Sequence, residues 1–322
     1  MATTTDLQAF AATKLGLQQP GDPPVLLNHP TQSAAPIDGW KSALFGVPFM
    51  AVGVVVSFAA FNGIHAHKNA PDWVIGVFAG AFLFGGLFFF IHGIRGIVRK
   101  AAWKRAAARL PGEPWLYDFR WHREGVAFSA FDEMLRRLIG ALAWNAFLAP
   151  FAWVGVTHSW PFLAVAILFG LAGIYFWYRW WTMLVDLVRY GNSYLSYQGF
   201  PYSLGSTLHA QLRTPRHVEK IDELKFTLRC VQEKYVTTAG PDNRSQTQVV
   251  CFELYSQVAT IDHARLASLA GGSIPVEFCV PADQPSTNLA ATPPIYWEIE
   301  ANGKARGADY QAYFLVPVYK TS

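Results

Sequence analysis

Apolar and polar positions follow two different rhythms along this chain, in long blocks up to Tyr190 and residue by residue from Gly191 onward. Four blocks, residues 43–64, 73–94, 138–156 and 160–178, hold hardly a charge. Each is long enough for a bilayer, which takes about 20 helical residues. Residues 82–90 (FLFGGLFFF) and 164–177 lack any polar face, so the blocks predict transmembrane helices in two hairpins, not the helices of a soluble core. Beyond Gly191, alternation predicts strands over residues 193–200, 207–213, 223–231, 246–255, 274–280, 295–301 and 310–319, with a short helix over 262–270. Leu224, Phe226, Leu228 and Cys230 fall on one face of the third strand, opposite Lys225, Thr227 and Arg229; Ile274, Val276, Phe278 and Val280 repeat the pattern. Short strands separated by Pro, Gly and Asn turns predict an all-β antiparallel sandwich.

The connecting segments complete the layout: a tail (1–42), a first hairpin (43–94), a connector (95–137), a second hairpin (138–190) and the β domain (191–322). The tail contains Pro20, Pro23, Pro24, Pro30 and Pro36 and is expected to be loosely held, with a short helix over residues 7–17. It is not expected to be a signal peptide, because its apolar run starts late and lacks a basic lead. In the connector, residues 95–109 continue the second span helically until Pro111–Gly112. Trp115, Tyr117, Phe119 and Trp121 then alternate with Leu116, Asp118 and Arg120, which predicts an extended strand. A turn at residues 122–125 and a second short strand over 126–131 would make it a small hairpin packed on the β domain or the membrane surface.

Composition agrees with this division. The chain is 52% hydrophobic and only 15% charged, against about a quarter charged in ordinary soluble domains, which excludes a disordered or fibrous protein and argues against an all-soluble enzyme. The connector holds ten basic residues, Arg95, Arg99, Lys100, Lys104, Arg105, Arg109, Arg120, Arg123, Arg136 and Arg137, whereas residues 62–72 hold only Lys68 and residues 157–159 none. The positive-inside rule therefore predicts a multi-pass protein of the bacterial inner membrane with both termini cytoplasmic. Anionic lipid head groups attract such a segment by about 1 kcal/mol per basic side chain near the surface, so lipid, not nucleic acid, is its expected partner. Cys230, Cys251 and Cys279 lack CxxC spacing, which fits neither a disulfide framework nor a zinc ribbon and suits a reducing compartment.

Candidate chemistry is sparse. Transport or proton relay leaves ionisable residues at membrane depth, and these spans offer chiefly Asn145, a turn before Pro150, which predicts an inter-helix hydrogen bond beside a kink. His92 sits one turn from Arg95. Gly76 and Gly80 form a GxxxG, with Gly85–Gly86 and Gly170/Gly173 as further small faces, all expected to pack helices. His65, His67 and His158 fall at the outer ends of the first and third spans; together they could bind a metal or serve as haem ligands, and ordinary interfacial histidines are the expectation. GxSxG, Walker, HExxH and GxGxxG motifs do not occur. Cys230 and Cys251 fit the core, Cys279 faces opposite Phe278, and His209, His217 and His263 are scattered. No catalytic residue, metal or cofactor is expected.

Three segments carry a resemblance: IPVEFCVPADQPST, IYWEIEA and DYQAYFLVPVY. Through Pro275, Phe278, Pro281, Pro285–Ser286, Trp297 and Val316–Val318 they resemble the second half of an arrestin-type sandwich. With PGEPWLYDFRW between two hairpins, the chain also resembles uncharacterised bacterial multi-pass proteins that carry such a domain. The resemblance covers the closing third of the chain and implies an arrestin/immunoglobulin-like fold with a scaffold habit. Arrestins have two sandwiches and this chain has room for one; no counterpart of their charged core is identified, and no functional residue is carried across. The expectation is a non-catalytic membrane scaffold or accessory subunit that binds a protein partner. The alternatives are a small transporter or channel gated by the sandwich and, behind it, a metal- or haem-binding membrane protein; a second copy of the chain, in a homo-oligomer, is a further candidate partner.

Overall fold

A computed structural model describes residues 22–26, 29, 39–62, 72–157, 160–213, 215–239, 245–269, 271–307 and 309–320. The chain divides into two compact units, Ile37–Ala102 with Ala130–Leu187, and Met1–Pro36 with Trp103–Ser129 and Val188–Ser322.

The first unit is built from α1 (Gly39–Phe61), α2 (Asp72–Arg109), α3 (Ala130–Thr157) and α4 (Trp160–Tyr190), the ends of α2 and α4 running into the other unit. All four are long and apolar enough to cross a membrane, and most of their side chains face outward. Glycines fix how α1 and α2 meet. Gly39, Gly46 and Gly53, spaced by seven, lie along one side of α1; a Cβ on Gly46 would stand 2.4 Å from the Gly86 carbonyl oxygen, and one on Gly53 would stand 2.6 Å from the Leu83 nitrogen. Ser42 Oγ adds a hydrogen bond to the Phe89 carbonyl at 3.0 Å. The GxxxG expectation fails in detail, since among the described residues a Cβ on Gly76 meets nothing within 4 Å and one on Gly80 meets only Phe84 of its own helix. The glycines that matter are those with a backbone opposite them, and spacing by four does not reveal that.

The second unit has two antiparallel sheets. One runs in the order β1 (Val25–Leu26), β7 (Ser245–Asp262), β6 (Ile221–Ala239), β9 (Ile295–Ala305), β10 (Tyr310–Val316). The other runs β2 (Gly125–Phe128), β3 (Ser193–Tyr197), β5 (Thr207–Arg213), β8 (Ser273–Cys279). A short parallel pair joins β4 (Tyr202–Ser203) to β11 (Val318–Tyr319). Period-two alternation sends Leu208, Leu212 and Phe278 from one sheet and Phe226, Leu228 and Phe314 from the other into one shared core, closed by the fully buried Trp297. The helix α5 (His263–Ser268) starts at Asp262, whose side chain accepts the Arg265 amide as an N-cap. β6 and β7 far exceed the strands the alternation predicts.

The connector departs from expectation. Residues 115–121 do not form a strand: Pro114 opens a 3-10 turn (Pro114–Leu116), and the alternating aromatics pack as a loop. Trp115 and Trp121 both meet Tyr319 edge-on, and Trp121 Nε1 donates to its hydroxyl at 2.9 Å. Asp118 is buried and accepts the amides of Leu289 at 2.9 Å and Ala290 at 2.6 Å and the Tyr319 hydroxyl at 3.0 Å. The following strand pairs with β3 and not with residues 115–121. The tail differs too: Val25 and Leu26 pair with Phe252 and Cys251. The helix expected over residues 7–17 lies outside the described residues.

Candidate functional site

The outer face of the five-stranded sheet collects charge. Register places Arg229 on β6 directly opposite Glu298 on β9, and Thr227 opposite Glu300; Tyr313 on β10 lies across from Glu300. After the bulge at Cys230/Val231, β7 brings Glu253 to the same guanidinium, Nε standing 2.7 Å from Glu253 Oε2. Arg229 Nη1 bonds Glu300 Oε2 and lies 4.0 Å from Glu298 Oε1. The Tyr313 hydroxyl donates to Glu300 at 3.2 Å and Gln311 to the same oxygen at 3.3 Å. Glu298 is fully buried.

One guanidinium thus faces three carboxylates. Burial works against the Arg229 charge, but Glu300, Glu253 and Glu298 outweigh it and raise its pKa. Burial and the neighbouring Glu300 push the Tyr313 phenol upward, so it stays a donor. The tail closes over this cluster. His29 is buried, its Nε2 lies 2.6 Å from Glu298 Oε1, and its ring packs edge-on against Tyr313. Beside it, Val25 is enclosed with Val250, Phe252 and Val236. Leu26, pointing the other way, packs with Val231, Cys251 and Tyr296. The Glu253 amide donates to the Pro24 carbonyl at 2.8 Å.

Sequence reading missed this cluster. Glu298 and Glu300 alternate with Trp297 and Ile299, which looks like a solvent-facing row, and nothing local shows that a tail more than 200 residues away covers it. The residues it did single out are dispersed. Asn145 Nδ2 donates to the Ala141 carbonyl of its own helix at 2.7 Å, and the bond to α4 comes instead from Trp144 Nε1 to the Phe169 carbonyl at 3.0 Å. An amide so close to its own helix finds the carbonyl one turn back before a neighbour. His92 stacks on Phe88. Cys230 and Cys251 are buried, which pushes each thiol to about 12. Cys279 is exposed. His209 lies 3.9 Å from Glu277 on the neighbouring strand, His217 pairs with Glu219, and His263 Nδ1 lies 2.9 Å from the Ile221 carbonyl. His65, His67 and His158 lie outside the described residues. Among the described residues no group of three or more His, Cys, Asp or Glu is placed to hold a metal ion.

No protein-family model matches the chain, and no curated protein sequence matches it. Among solved structures, the chain is similar to the sporulation control protein Spo0M of Bacillus subtilis, at 14% identity and a TM-score of 0.25. That match covers 39% of this chain and 48% of Spo0M, so the chain spans about half the length of that protein. At this score it carries no argument about function.

Proposed function

We propose that this chain is a non-catalytic integral membrane protein that presents its β unit as a protein-binding scaffold or an accessory subunit of a membrane complex. In this reading the four helices span the bacterial inner membrane with both termini in the cytoplasm. The two sheets form an arrestin-like sandwich of the immunoglobulin type, and the basic end of α2 rests against anionic lipid head groups. The observation that supports it most is how the polar residues of the β unit are used. Asp118 ties the connector to the loop before β9, and the Arg229 cluster ties down the tail. Both polar assemblies hold segments of the chain in place, and antiparallel sheets of this kind bind through edges and loops.

The test is purification of the tagged full chain from its native host in mild detergent at native expression, followed by intact-complex mass measurement. A fixed-stoichiometry assembly with a second polypeptide is expected. A clean homo-oligomer, or a chain alone, would overturn the reading.

A further inference from the structure

We infer that the face of the helical unit formed by Asn145 of α3 with Gly170 and Gly173 of α4 docks a transmembrane helix of the partner subunit, one that carries an Asn or Gln carboxamide at mid-depth. The inference deepens the accessory-subunit reading and rests on it.

Asn145 sits near the middle of the third apolar stretch, residues 138–156, where in that reading no water serves a polar group. A carboxamide has two N–H donors and an oxygen with two lone pairs. One donor is used: Asn145 Nδ2 donates to the Ala141 carbonyl at 2.7 Å. That bond also fixes which end of the side chain is which, since a carbonyl needs the NH2 group facing it. Among the described residues nothing donates to Oδ1, and Asn145 is exposed. Other polar side chains of the spans differ in this respect. Ser57 spends its one hydrogen on the Gly53 carbonyl, and Trp144 spends its own on the Phe169 carbonyl. An open acceptor and an open N–H at membrane depth are costly, and a second carboxamide answers both at once.

The neighbouring helix leaves room for one. A Cβ on Gly173 would stand 3.8 Å from Asn145 Oδ1, so the oxygen lies against the bare backbone of α4. One turn away, among the described residues, a Cβ on Gly170 would meet nothing within 4 Å. Leu142, a turn before Asn145 on α3, is exposed, as is Ile174 next to Gly173. Small residues of this kind let a foreign helix come close enough for side chains to hydrogen-bond across the contact. Lipid chains can fill the same opening, but they bring no donor to Oδ1.

The experiment uses the full chain in mild detergent with two fluorescent probes. One is a lysine-flanked helix of about 20 leucines, long enough to span a bilayer, and the other is its twin with one central asparagine. The wild-type chain should bind the asparagine probe roughly three- to thirtyfold more tightly, the range of single inter-helix hydrogen bonds in membranes. Asn145→Leu should erase that preference, and Asn145→Gln, which keeps the carboxamide, should retain most of it. Gly170→Leu fills the opening and should weaken binding of the asparagine probe by about threefold or more, whereas Gly76→Leu on α2 should leave it unchanged. If Asn145→Leu loses helical dichroism on purification, Asn145→Ala takes its place. Equal binding of the two probes by the wild-type chain would overturn the inference, as would a preference that survives loss of the carboxamide or falls equally with Gly76→Leu. A chain that forms an Asn145-dependent dimer of its own would make a second copy the occupant and overturn the choice of a partner subunit. A probe preference with no co-purifying subunit sinks the scaffold reading alone; a subunit that co-purifies in full with Asn145→Leu sinks this inference alone.

Discussion

The helical unit and the β unit are built from much the same apolar residue types and dispose of them in opposite ways. In the β unit Leu228, Trp297 and Ile299 are fully buried. In the helical unit Phe61 is 91% exposed, Val156 74% and Phe84 71%. Water explains the first arrangement, because enclosing apolar surface is the main force holding such a body together. It cannot explain the second. Where the surroundings are as apolar as the side chains, helices gain nothing by hiding leucine and associate through close backbone approach and hydrogen bonds. That is what Gly46 against Gly86 and Trp144 against the Phe169 carbonyl supply. Close fit in one unit does the work that burial does in the other.

The sharpest way to break this contrast is to attack the costliest feature of each unit. Arg229→Met takes from Glu253 and Glu300 the guanidinium that both contact; one-sided removal of a buried ion-pair partner costs about 3–5 kcal/mol. Denaturant unfolding should show that loss in the β unit while helical far-ultraviolet dichroism persists. Gly46→Leu does the reverse. Its Cβ has no room beside the Gly86 carbonyl, so α1 and α2 must separate, at or above the upper end of the ~1–3 kcal/mol typical of overpacking; thermal melting in detergent should fall while the sheet signal is retained. Asp118→Asn keeps the shape but trades a carboxylate taking two amides and a hydroxyl for a neutral group. A loss of about 1.5–3 kcal/mol is expected, since hydrogen bonds to charged groups are worth that much, together with faster proteolysis of the connector. The smallest effect sharpens the glycine argument: Gly76→Leu, with nothing within 4 Å of its Cβ, should move the melting point by no more than a surface change of about 0.5 kcal/mol would.

What was legible in the sequence follows the same physics. Elements whose pattern is set by one partner were plain: the apolar blocks became α1 to α4, and β5 (Thr207–Arg213) has the bounds its alternation predicts. Elements decided by a distant partner were not. β6 and β7 extend well past their apolar stretches because each pairs the other's polar positions, Thr237 with Thr247 among them. Trp115 to Trp121 alternates like a strand, but Pro114 and the pull of the Leu289 and Ala290 amides on Asp118 bend it into a turn. Val25 and His29 carry no periodicity, and their partners lie on β7 and β9. Glycines at 39, 46 and 53 are spaced by seven and were visible in principle; GxxxG at residues 76–80 was the more familiar motif and points at open space.

The claim that the two units answer to different solvents can be tested through the chain's own thiols. Cys279 is exposed, while Cys230 and Cys251 are buried with their thiols pushed to about 12, so a maleimide should label one site in the native protein and three after denaturation. With a membrane-impermeant maleimide, the account predicts no labelling of Cys279 in intact cells, full labelling in inverted inner-membrane vesicles, and a chain that stays with the membrane after alkaline carbonate washing. Labelling in intact cells, or release by carbonate, would contradict it.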